Sequence, residues 1–166
     1  KLNFKQIKPN CNEVFYKKKL LKKKIHPEKI ALELSKLKAK SISKIKKNTI
    51  VVGSDTIILF RGKMIGKAKN MTEAKEKITR LSGKKHVIIS AASAYYNNKL
   101  IWFNVEKTMV KIRNMQNKEI DSYLKKTGKQ ILDCVGCYQI ESLGPNIIEN
   151  IKGDFFNVMG FPLFPF

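Results

Sequence analysis

The hydrophobic residues that follow Pro27 recur at helical spacing. Ile30, Leu34 and Leu37 follow one another at steps of four and three residues. Because an α-helix has 3.6 residues per turn, these side chains fall on one face. Proline suits the first turn of a helix, so the helix is expected to begin at Pro27. The pattern therefore predicts an amphipathic helix that also carries Lys38.

Three further stretches have a helical pattern. The segment from Thr72 to Leu81 has an N-cap residue at Thr72 and a terminating Gly83. The segment from Asn117 to Lys126 is followed by Gly128, which is typical of a residue just past a helix end. The lysine-rich stretch from Val14 to Lys24 is consistent with a helix whose charged face is solvated, or with a mobile lid.

A polar triplet interrupts the most apolar strand pattern. Residues 49–52 and 56–60 are β-branched and apolar, and Gly53-Ser54-Asp55 lies between them. Arg61-Gly62-Lys63 then predicts a hairpin turn. A carboxylate within a buried strand is costly unless it is paired, solvated or bound to a cation. Asp55 is therefore the first candidate for a functional residue.

Alternating apolar residues predict the remaining strands. Residues 86–96 and 99–113 read as a long antiparallel hairpin, since Asn97-Asn98 tolerates positive φ. Lys1 to Pro9 reads as a short strand that enters a loop. From Gly136 to Phe166 the chain alternates short apolar pieces with Gly, Pro and Asn.

The charge is strongly positive and uneven. Lys and Arg number 34 and Asp and Glu 13, for a net charge of +21 over 166 residues, while 43% of the residues are hydrophobic. That apolar share excludes a wholly disordered polycation. The basic residues include only Arg61, Arg80 and Arg113, although arginine is the usual residue for reading bases. We therefore expect no specific nucleic-acid recognition. A coding bias toward lysine and a selected polyanion-binding surface both remain explanations of the charge.

The cysteines and apolar runs indicate a cytoplasmic protein. Cys11, Cys134 and Cys137 are too few for a disulfide framework, which favours a reducing compartment. Cys134-Val-Gly-Cys137 has the spacing of zinc or redox pairs, but the sequence supplies no second pair of ligands. No apolar run approaches the ~20 residues of a membrane span, and no signal-peptide pattern occurs.

Short motifs in a fixed order carry a family resemblance. They are Glu13, Lys38-Ala39, Gly53-Ser54-Asp55-Thr56, Ile65-Gly66-Lys67, Leu81-Ser82-Gly83, Gly136-Cys137-Tyr138, Ile151-Lys152-Gly153-Asp154 and Asn157-Val158-Met159-Gly160-Phe161-Pro162. In this order and spacing the chain resembles the Maf family of nucleotide pyrophosphatases over nearly its whole length.

The resemblance implies both a fold and an activity. The fold is an α/β, ITPase-like domain over residues 1–166, with a mixed twisted sheet, flanking helices and a cleft between two lobes. The activity is hydrolysis of a nucleoside triphosphate to the monophosphate and pyrophosphate, with Mg²⁺ or Mn²⁺ as cofactor and a homodimer as the assembly. Members usually have a Ser-x-Ser-x-Arg strand before the segment matching Leu2-Asn3-Phe4 and a helix after Phe161-Pro162-Leu163. We therefore expect the sequence either to be incomplete at both ends or to be that of a degraded member of the family.

The resemblance also assigns catalytic, metal and phosphate residues. Asp55 falls on the proton acceptor, and Glu13, preceded here by Asn12 in place of Asp, joins Asp55 as a metal ligand. Lys38 and Lys67 fall on phosphate-facing lysines. These roles suit the chemistry, because an attacking water must lose a proton and the triphosphate charge must be offset. In-line displacement then depends mostly on positioning.

Two positions associated with base choice disagree. Thr56 resembles the branch acting on dTTP and UTP, whereas Glu141, in place of Gln, resembles the branch acting on 7-methyl-GTP. A carboxylate accepts hydrogen bonds only and so favours the donors of a guanine edge. The preferred base therefore remains open.

One other class of function fits the composition. The lysines of the first 50 residues, sixteen against three glutamates, could hold RNA, DNA or an acidic partner without catalysis. Binding by such a module would fall steeply with salt and show little preference among bases.

Overall fold

The α/β class with flanking helices is confirmed, but the sheet is antiparallel, so the mixed sheet that the resemblance implied is wrong. A computed structural model describes residues 3–166. The elements are α1 (Glu13–Lys22), α2 (Pro27–Ser43), β1 (Ile50–Phe60), β2 (Lys63–Ile65), α3 (Met71–Leu81), β3 (Lys85–Tyr96), β4 (Lys99–Ile112), α4 (Asn117–Thr127), β5 (Ile148–Lys152) and α5 (Phe155–Val158). Short 3-10 helices span Gly128–Asp133 and Gly144–Asn146. The sheet order is β2-β1-β3-β4-β5.

The described part of the first of two compact units contains residues 3–55 and Ala91–Val105. Helix α1 packs against α2, and the first half of β1 runs beneath α2. Its buried core comes mainly from α2 and β3, with the following members: Leu20, Ile30, Ala31, Leu34, Ala39, Ile42, Ala91, Ala92, Ala94 and Tyr95.

The second unit contains Thr56–Ser90 and Glu106–Phe166. Helix α3 packs against α4, and both contribute to one hydrophobic cluster with the strands. The largest fully buried members of that cluster are Ile78, Leu81, Ile88, Ile112, Ile120, Ile131, Ile147 and Val110. Apolar residues of α3, α4, β3 and β4 therefore meet in this core.

The predicted helices are present, with one change of cap. Helices α1, α2 and α4 match the predicted segments, and Gly128 has a positive φ of 64° just past α4. Helix α3 begins earlier than expected, because Asn70 rather than Thr72 is the N-cap and its Oδ1 accepts a hydrogen bond of 2.9 Å from Glu73 N. The earlier start lets Met71 pack against the core.

The strand predictions hold except at the beginning of the chain. Strand β1 is continuous through Gly53-Ser54-Asp55, and the turn between β3 and β4 has φ of 47° at Asn97 and 66° at Asn98. The strand predicted for Lys1 to Pro9 is wrong over residues 3–9, which form no regular element. Phe4 is 87% exposed there, so its apolar side chain has no sheet to pack on. Lys1 and Leu2 lie outside the described residues.

Within residues 3–166, every helix is too short or too polar to span a bilayer.

Candidate active site

Three residues predicted to act together converge in the first unit. The Lys38 ammonium lies 2.7 Å from Asp55 Oδ1 and 3.2 Å from Glu13 Oε2. It also donates a hydrogen bond of 3.1 Å to the carbonyl oxygen of Ser54. The side chain of Asp55 is 12% exposed and that of Lys38 20%, whereas that of Glu13 is 39% exposed. The result is a mostly buried ion pair whose second carboxylate faces solvent.

A close approach of α2 to β1 sets this geometry. A Cβ atom added at Gly53 would lie 2.6 Å from the Ser35 carbonyl oxygen and 2.7 Å from Ala39 N. Only glycine allows two backbones to come so near. Lys38 precedes Ala39 on the helix and Asp55 lies two residues beyond Gly53 on the same strand face. The contact at Gly53 therefore brings the ammonium and the carboxylate together.

The start of α1 supplies the second carboxylate. Asn12 is the N-cap, and its Oδ1 accepts a hydrogen bond of 3.0 Å from Phe15 N. Glu13 is the first residue of the helix, where a negative charge interacts favourably with the helix dipole. Lys17 lies one turn later, and its charge acts to lower the pKa of Asp55. The lysine-rich stretch thus places one of its charges near the candidate site.

Burial and charge oppose each other at the ion pair. Burial raises the pKa of the Asp55 carboxyl above its ordinary value, and this outweighs the lowering by the neighbouring Lys38. Burial acts to lower the pKa of Lys38, but Asp55 and Glu13 together raise it above its ordinary value. Lys38 therefore stays charged, while Asp55 takes up a proton more readily than an exposed aspartate.

One oxygen of Asp55 is available for chemistry. Asp55 Oδ2 is buried and, among residues 3–166, has no hydrogen-bond partner. The three protons of the Lys38 ammonium match three oxygen atoms, from Asp55, Ser54 and Glu13. A buried carboxylate oxygen with an unused lone pair can accept a proton from water or contact a cation.

Thr56 belongs to a polar network in the second unit. Its Oγ1 lies 2.9 Å from Ser90 Oγ and 3.4 Å from the carbonyl oxygen of Gly160. Ser90 Oγ donates a hydrogen bond of 3.0 Å to the carbonyl oxygen of Asn157, whose side-chain amide donates one of 2.9 Å to Thr108 Oγ1. The hydroxyl of Thr56 therefore joins the sheet to the segment that contains Asn157 and Gly160.

Lys67 and Glu141 both lie near Cys134 in the second unit, and both are exposed. Burial is the main cause that raises the pKa of Cys134, and the charge of Glu141 raises it further. The charge of Lys67 acts in the opposite direction. A predicted phosphate-facing lysine and a predicted base-contacting carboxylate therefore act in opposite directions on the pKa of one thiol.

The donor atoms of the first unit fit a magnesium-type ion only in part. Over the described part of the chain, no group of three or more His, Cys, Asp or Glu side chains is arranged to hold a metal. Glu13 and Asp55 offer two carboxylates, and Asp55 Oδ2 is an unpaired buried oxygen. Mg²⁺ is commonly held by one or two carboxylates together with substrate phosphates and water. The residues therefore fit an ion that arrives with a phosphate ligand.

Some residues of this site escaped the sequence analysis. The close packing of Gly53 on Ser35 and Ala39 has a signal, since small residues four apart on a helix can face a glycine in a strand. The partnership of Thr56 with Ser90 has no local signal. It depends on the register between two strands that lie far apart in sequence.

Comparison with known proteins identifies the family. The family profile described as Maf-like protein matches residues 1–166. The chain belongs to the Maf family, which confirms the resemblance seen in its motifs.

The relatives carry several functional names. The chain is 35% identical over 162 residues to a nucleoside triphosphate pyrophosphatase of Pelagibacter ubique, covering 98% of this chain and 83% of that protein. It is 34% identical over 139 residues to a 7-methyl-GTP pyrophosphatase of Rhizobium meliloti, covering 84% and 70%. It is 37% identical over 158 residues to a dTTP/UTP pyrophosphatase of Thermosipho melanesiensis, covering 95% and 78%.

Proposed function

We propose that this chain is a nucleoside triphosphate pyrophosphatase, a hydrolase that cleaves the anhydride bond between the α- and β-phosphates. The observation that carries the proposal is the buried Asp55 carboxylate, whose Oδ2 has no partner among the described residues while Oδ1 is held by Lys38. Membership of the Maf family and the names of the relatives support the same reaction.

Asp55 acts as the general base in this proposal. Oδ2 accepts a proton from the water that attacks the α-phosphorus, and the bond from Lys38 to Oδ1 fixes the carboxylate while this happens. The leaving pyrophosphate carries away the electrons of the broken P–O bond. General-base catalysis of this kind contributes about 10²–10⁴-fold to a rate.

Lys38 and Lys67 contact phosphate oxygens in the proposed complex. Lys38 already directs its protons to Asp55, Ser54 and Glu13. Contact with a phosphate therefore requires one of these interactions to break. The ion pair with Glu13 costs the least free energy to break, because Glu13 is the more exposed of the two acids. Lys67 is exposed and needs no such release to meet an anion.

Mg²⁺ or Mn²⁺ is the proposed cofactor, held by Glu13 and Asp55 together with phosphate oxygens. When bound, the ion supplies positive charge that offsets the charge developing on the phosphates. If the ion pair with Lys38 broke, the Glu13 carboxylate would be able to bind the metal ion instead of the ammonium. The two carboxylates of this unit, rather than a preformed cluster, are what support the proposal.

Glu141 rather than Thr56 is the proposed base-contacting residue. Glu141 is exposed, whereas the hydroxyl of Thr56 is engaged with Ser90 and Gly160. A carboxylate accepts hydrogen bonds from the N1–H and 2-amino groups of guanine. We therefore favour a guanine-type base, such as that of 7-methyl-GTP, over uracil or thymine.

A homodimer and a cytoplasmic location complete the proposal. Gly53 faces α2, so Ile50 and Val52 lie on the opposite face of β1, where both are exposed. Exposed apolar residues on one face favour a second copy as the partner. Sedimentation of the wild-type chain and of Ile50→Asp tests this, with a monomeric variant expected. The three unpaired cysteines support a reducing compartment.

Product analysis tests the function. The chain is incubated with Mg²⁺ or Mn²⁺ and a panel of UTP, dTTP, CTP, GTP and 7-methyl-GTP. Release of nucleoside monophosphate and pyrophosphate is the expected result, with 7-methyl-GTP as the best substrate. The competing polyanion-binding module predicts no turnover at all and RNA binding that weakens steeply with salt.

A further inference from the structure

Cys134 and Cys137 lie at the two ends of a tight turn. Cys137 N donates a hydrogen bond of 3.2 Å to the carbonyl oxygen of Cys134. Residues joined in this way in a β-turn have Cα atoms less than about 7 Å apart. A disulfide requires a Cα separation of about 4.4–6.8 Å. The backbone therefore holds the two Cα atoms close to the separation that a disulfide needs.

We propose that Cys134 and Cys137 form a reversible dithiol–disulfide site that is coupled to the backbone of Lys67 and Ala68. The oxidant is a small-molecule disulfide. The Cys134 thiolate attacks one sulfur of that molecule, forms a mixed disulfide and expels one small thiolate. The Cys137 thiolate then attacks Cys134 Sγ and expels the second. The two cysteines lose two electrons and two protons, and the small disulfide becomes two thiols.

The exposure of the two cysteines sets the order of attack. Cys134 is partly exposed, whereas Cys137 is completely buried. An oxidant from solvent therefore meets Cys134 first, and Cys137 acts as the resolving thiol. Burial raises the pKa of both thiols, so the reaction is expected to be slow at neutral pH.

The backbone of the turn has little conformational freedom. A Cβ added at Gly136 would lie 2.6 Å from Tyr138 Cε1 and 2.9 Å from Ile58 Cδ1, so the backbone packs closely on the core there. Cys137 has a φ of 56°, in the left-handed region that residues other than glycine seldom adopt. Strain of this kind persists only where the surrounding structure imposes it.

The backbone of Ala68 connects the thiols to a predicted substrate-contacting segment. The buried Ala68 backbone acts on the buried Cys137 thiol to lower its pKa, and Lys67 is the residue that precedes Ala68. Forming a bond to Cys134 turns Cys137 Sγ toward the other end of the turn. The Ala68 amide then loses its interaction with the thiol, so its exchange with solvent should increase.

The experiment follows both thiols and the Ala68 amide. The complete chain is treated with oxidised glutathione, the remaining thiols are trapped, and intact mass and peptide mapping locate any bond. Hydrogen–deuterium exchange is then measured for the peptide containing Ala68. The matched variants are Cys134→Ser, which replaces the partly exposed thiol, and Cys11→Ser, which replaces the cysteine outside the turn.

A loss of two hydrogen atoms and a Cys134–Cys137 linkage are expected in the wild-type chain and in Cys11→Ser, but not in Cys134→Ser. The rate should rise about tenfold per pH unit below the pKa of the attacking thiol, and reductant should reverse the bond. Deuterium uptake at Ala68 should increase only where the bond forms. A lasting glutathione adduct on Cys134 with Cys137 still reduced, or a disulfide that leaves uptake at Ala68 unchanged, would overturn the proposal.

Discussion

The Lys38 ammonium and the Asp55 carboxylate form a 2.7 Å ion pair in which Lys38 also reaches Glu13 at 3.2 Å. The pair is mostly shielded from water, so each charge depends on the other for compensation. This dependence has two consequences. Lys38 lowers the pKa of Asp55 and fixes the position of Asp55 Oδ1. Burial raises the same pKa by more, so it stays above its ordinary value.

Replacing Lys38 by methionine should change the pH dependence of turnover. The charge of Lys38 lowers the pKa of Asp55, so its removal raises that pKa further. A general base works only when deprotonated, and activity is lost as the pH falls through its pKa. The acid limb of the kcat/KM profile should therefore move to higher pH in Lys38→Met, and kcat/KM should fall by about 10²-fold or more.

Lys36→Met is the matched control for this measurement. Lys36 lies on the same helix and pairs with Glu33 at 3.2 Å. Its loss should leave the acid limb in place. An acid limb that is the same in Lys38→Met and in the wild type would contradict the assignment of Asp55 as the base.

Gly53→Ala should destabilise the first unit. The added Cβ would meet the Ser35 carbonyl oxygen at 2.6 Å and Ala39 N at 2.7 Å, and both are backbone atoms that cannot rotate away. Overpacking of this kind costs about 1–3 kcal/mol. The displaced helix should also carry Lys38 away from Asp55 and lower turnover. Urea unfolding measures the first effect and steady-state kinetics the second.

Gly66→Ala provides the comparison. Nothing lies within 4 Å of a Cβ at Gly66. Its free energy of unfolding should therefore stay within about 0.5 kcal/mol of the wild-type value. Equal stability of Gly53→Ala and Gly66→Ala would show that α2 does not rest on Gly53 as described.

The buried His86 should make stability fall with acid. Burial lowers its pKa from 6.5 to about 4, and its Nε2 lies in hydrogen-bond contact with Tyr138 OH. Between those pH values the unfolded chain binds a proton that the folded chain does not, so stability decreases as the pH falls from about 7 to about 4. A difference of roughly 2.5 pKa units corresponds to about 3 kcal/mol.

Chemical unfolding at a series of pH values checks this. His86→Gln should show a shallower loss of stability than the wild type across that window, whatever its stability at pH 7. His26, whose side chain is 73% exposed, gives the control variant His26→Gln, which should follow the wild type. Parallel curves for His86→Gln and the wild type would refute the account.

Glu141→Gln should move base preference toward UTP or dTTP. A glutamine amide offers both donor and acceptor atoms, whereas the carboxylate offers only acceptors. Relative kcat/KM values across the nucleotide panel report the change. Glu76→Gln, an exposed substitution on α3, should leave those ratios unaltered. Unchanged ratios in Glu141→Gln would remove Glu141 from the base contact.

Local signals in the sequence predicted most of the elements. Pro27, Gly128 and Asn97-Asn98 each mark an end or a turn through their own backbone preferences, and the structure has the corresponding features there. The N-cap of α3 was misplaced because Asn70 and Thr72 are both good caps. In the structure, the hydrogen bond from Glu73 N to Asn70 Oδ1 identifies Asn70 as the cap.

Long-range contacts account for what the sequence left out. The motif order placed Glu13, Lys38 and Asp55 in one functional set, and the structure brings these three together. The motif order did not reveal that the Glu13 carboxylate forms an ion pair with the Lys38 ammonium. Nor did it reveal that Thr56 pairs with Ser90, since such partners are set by helix packing and strand register.

Hydrolysis in water enriched in heavy oxygen tests the central claim most directly. The products of 7-methyl-GTP or the best substrate are analysed by mass spectrometry, for the wild type, for Asp55→Asn and for the exposed Asp121→Asn as control. Attack on the α-phosphorus predicts heavy oxygen in the nucleoside monophosphate and none in the pyrophosphate. It also predicts a rate about 10²–10⁴-fold lower in Asp55→Asn alone. Heavy oxygen in the pyrophosphate, or wild-type turnover in Asp55→Asn, would contradict the account.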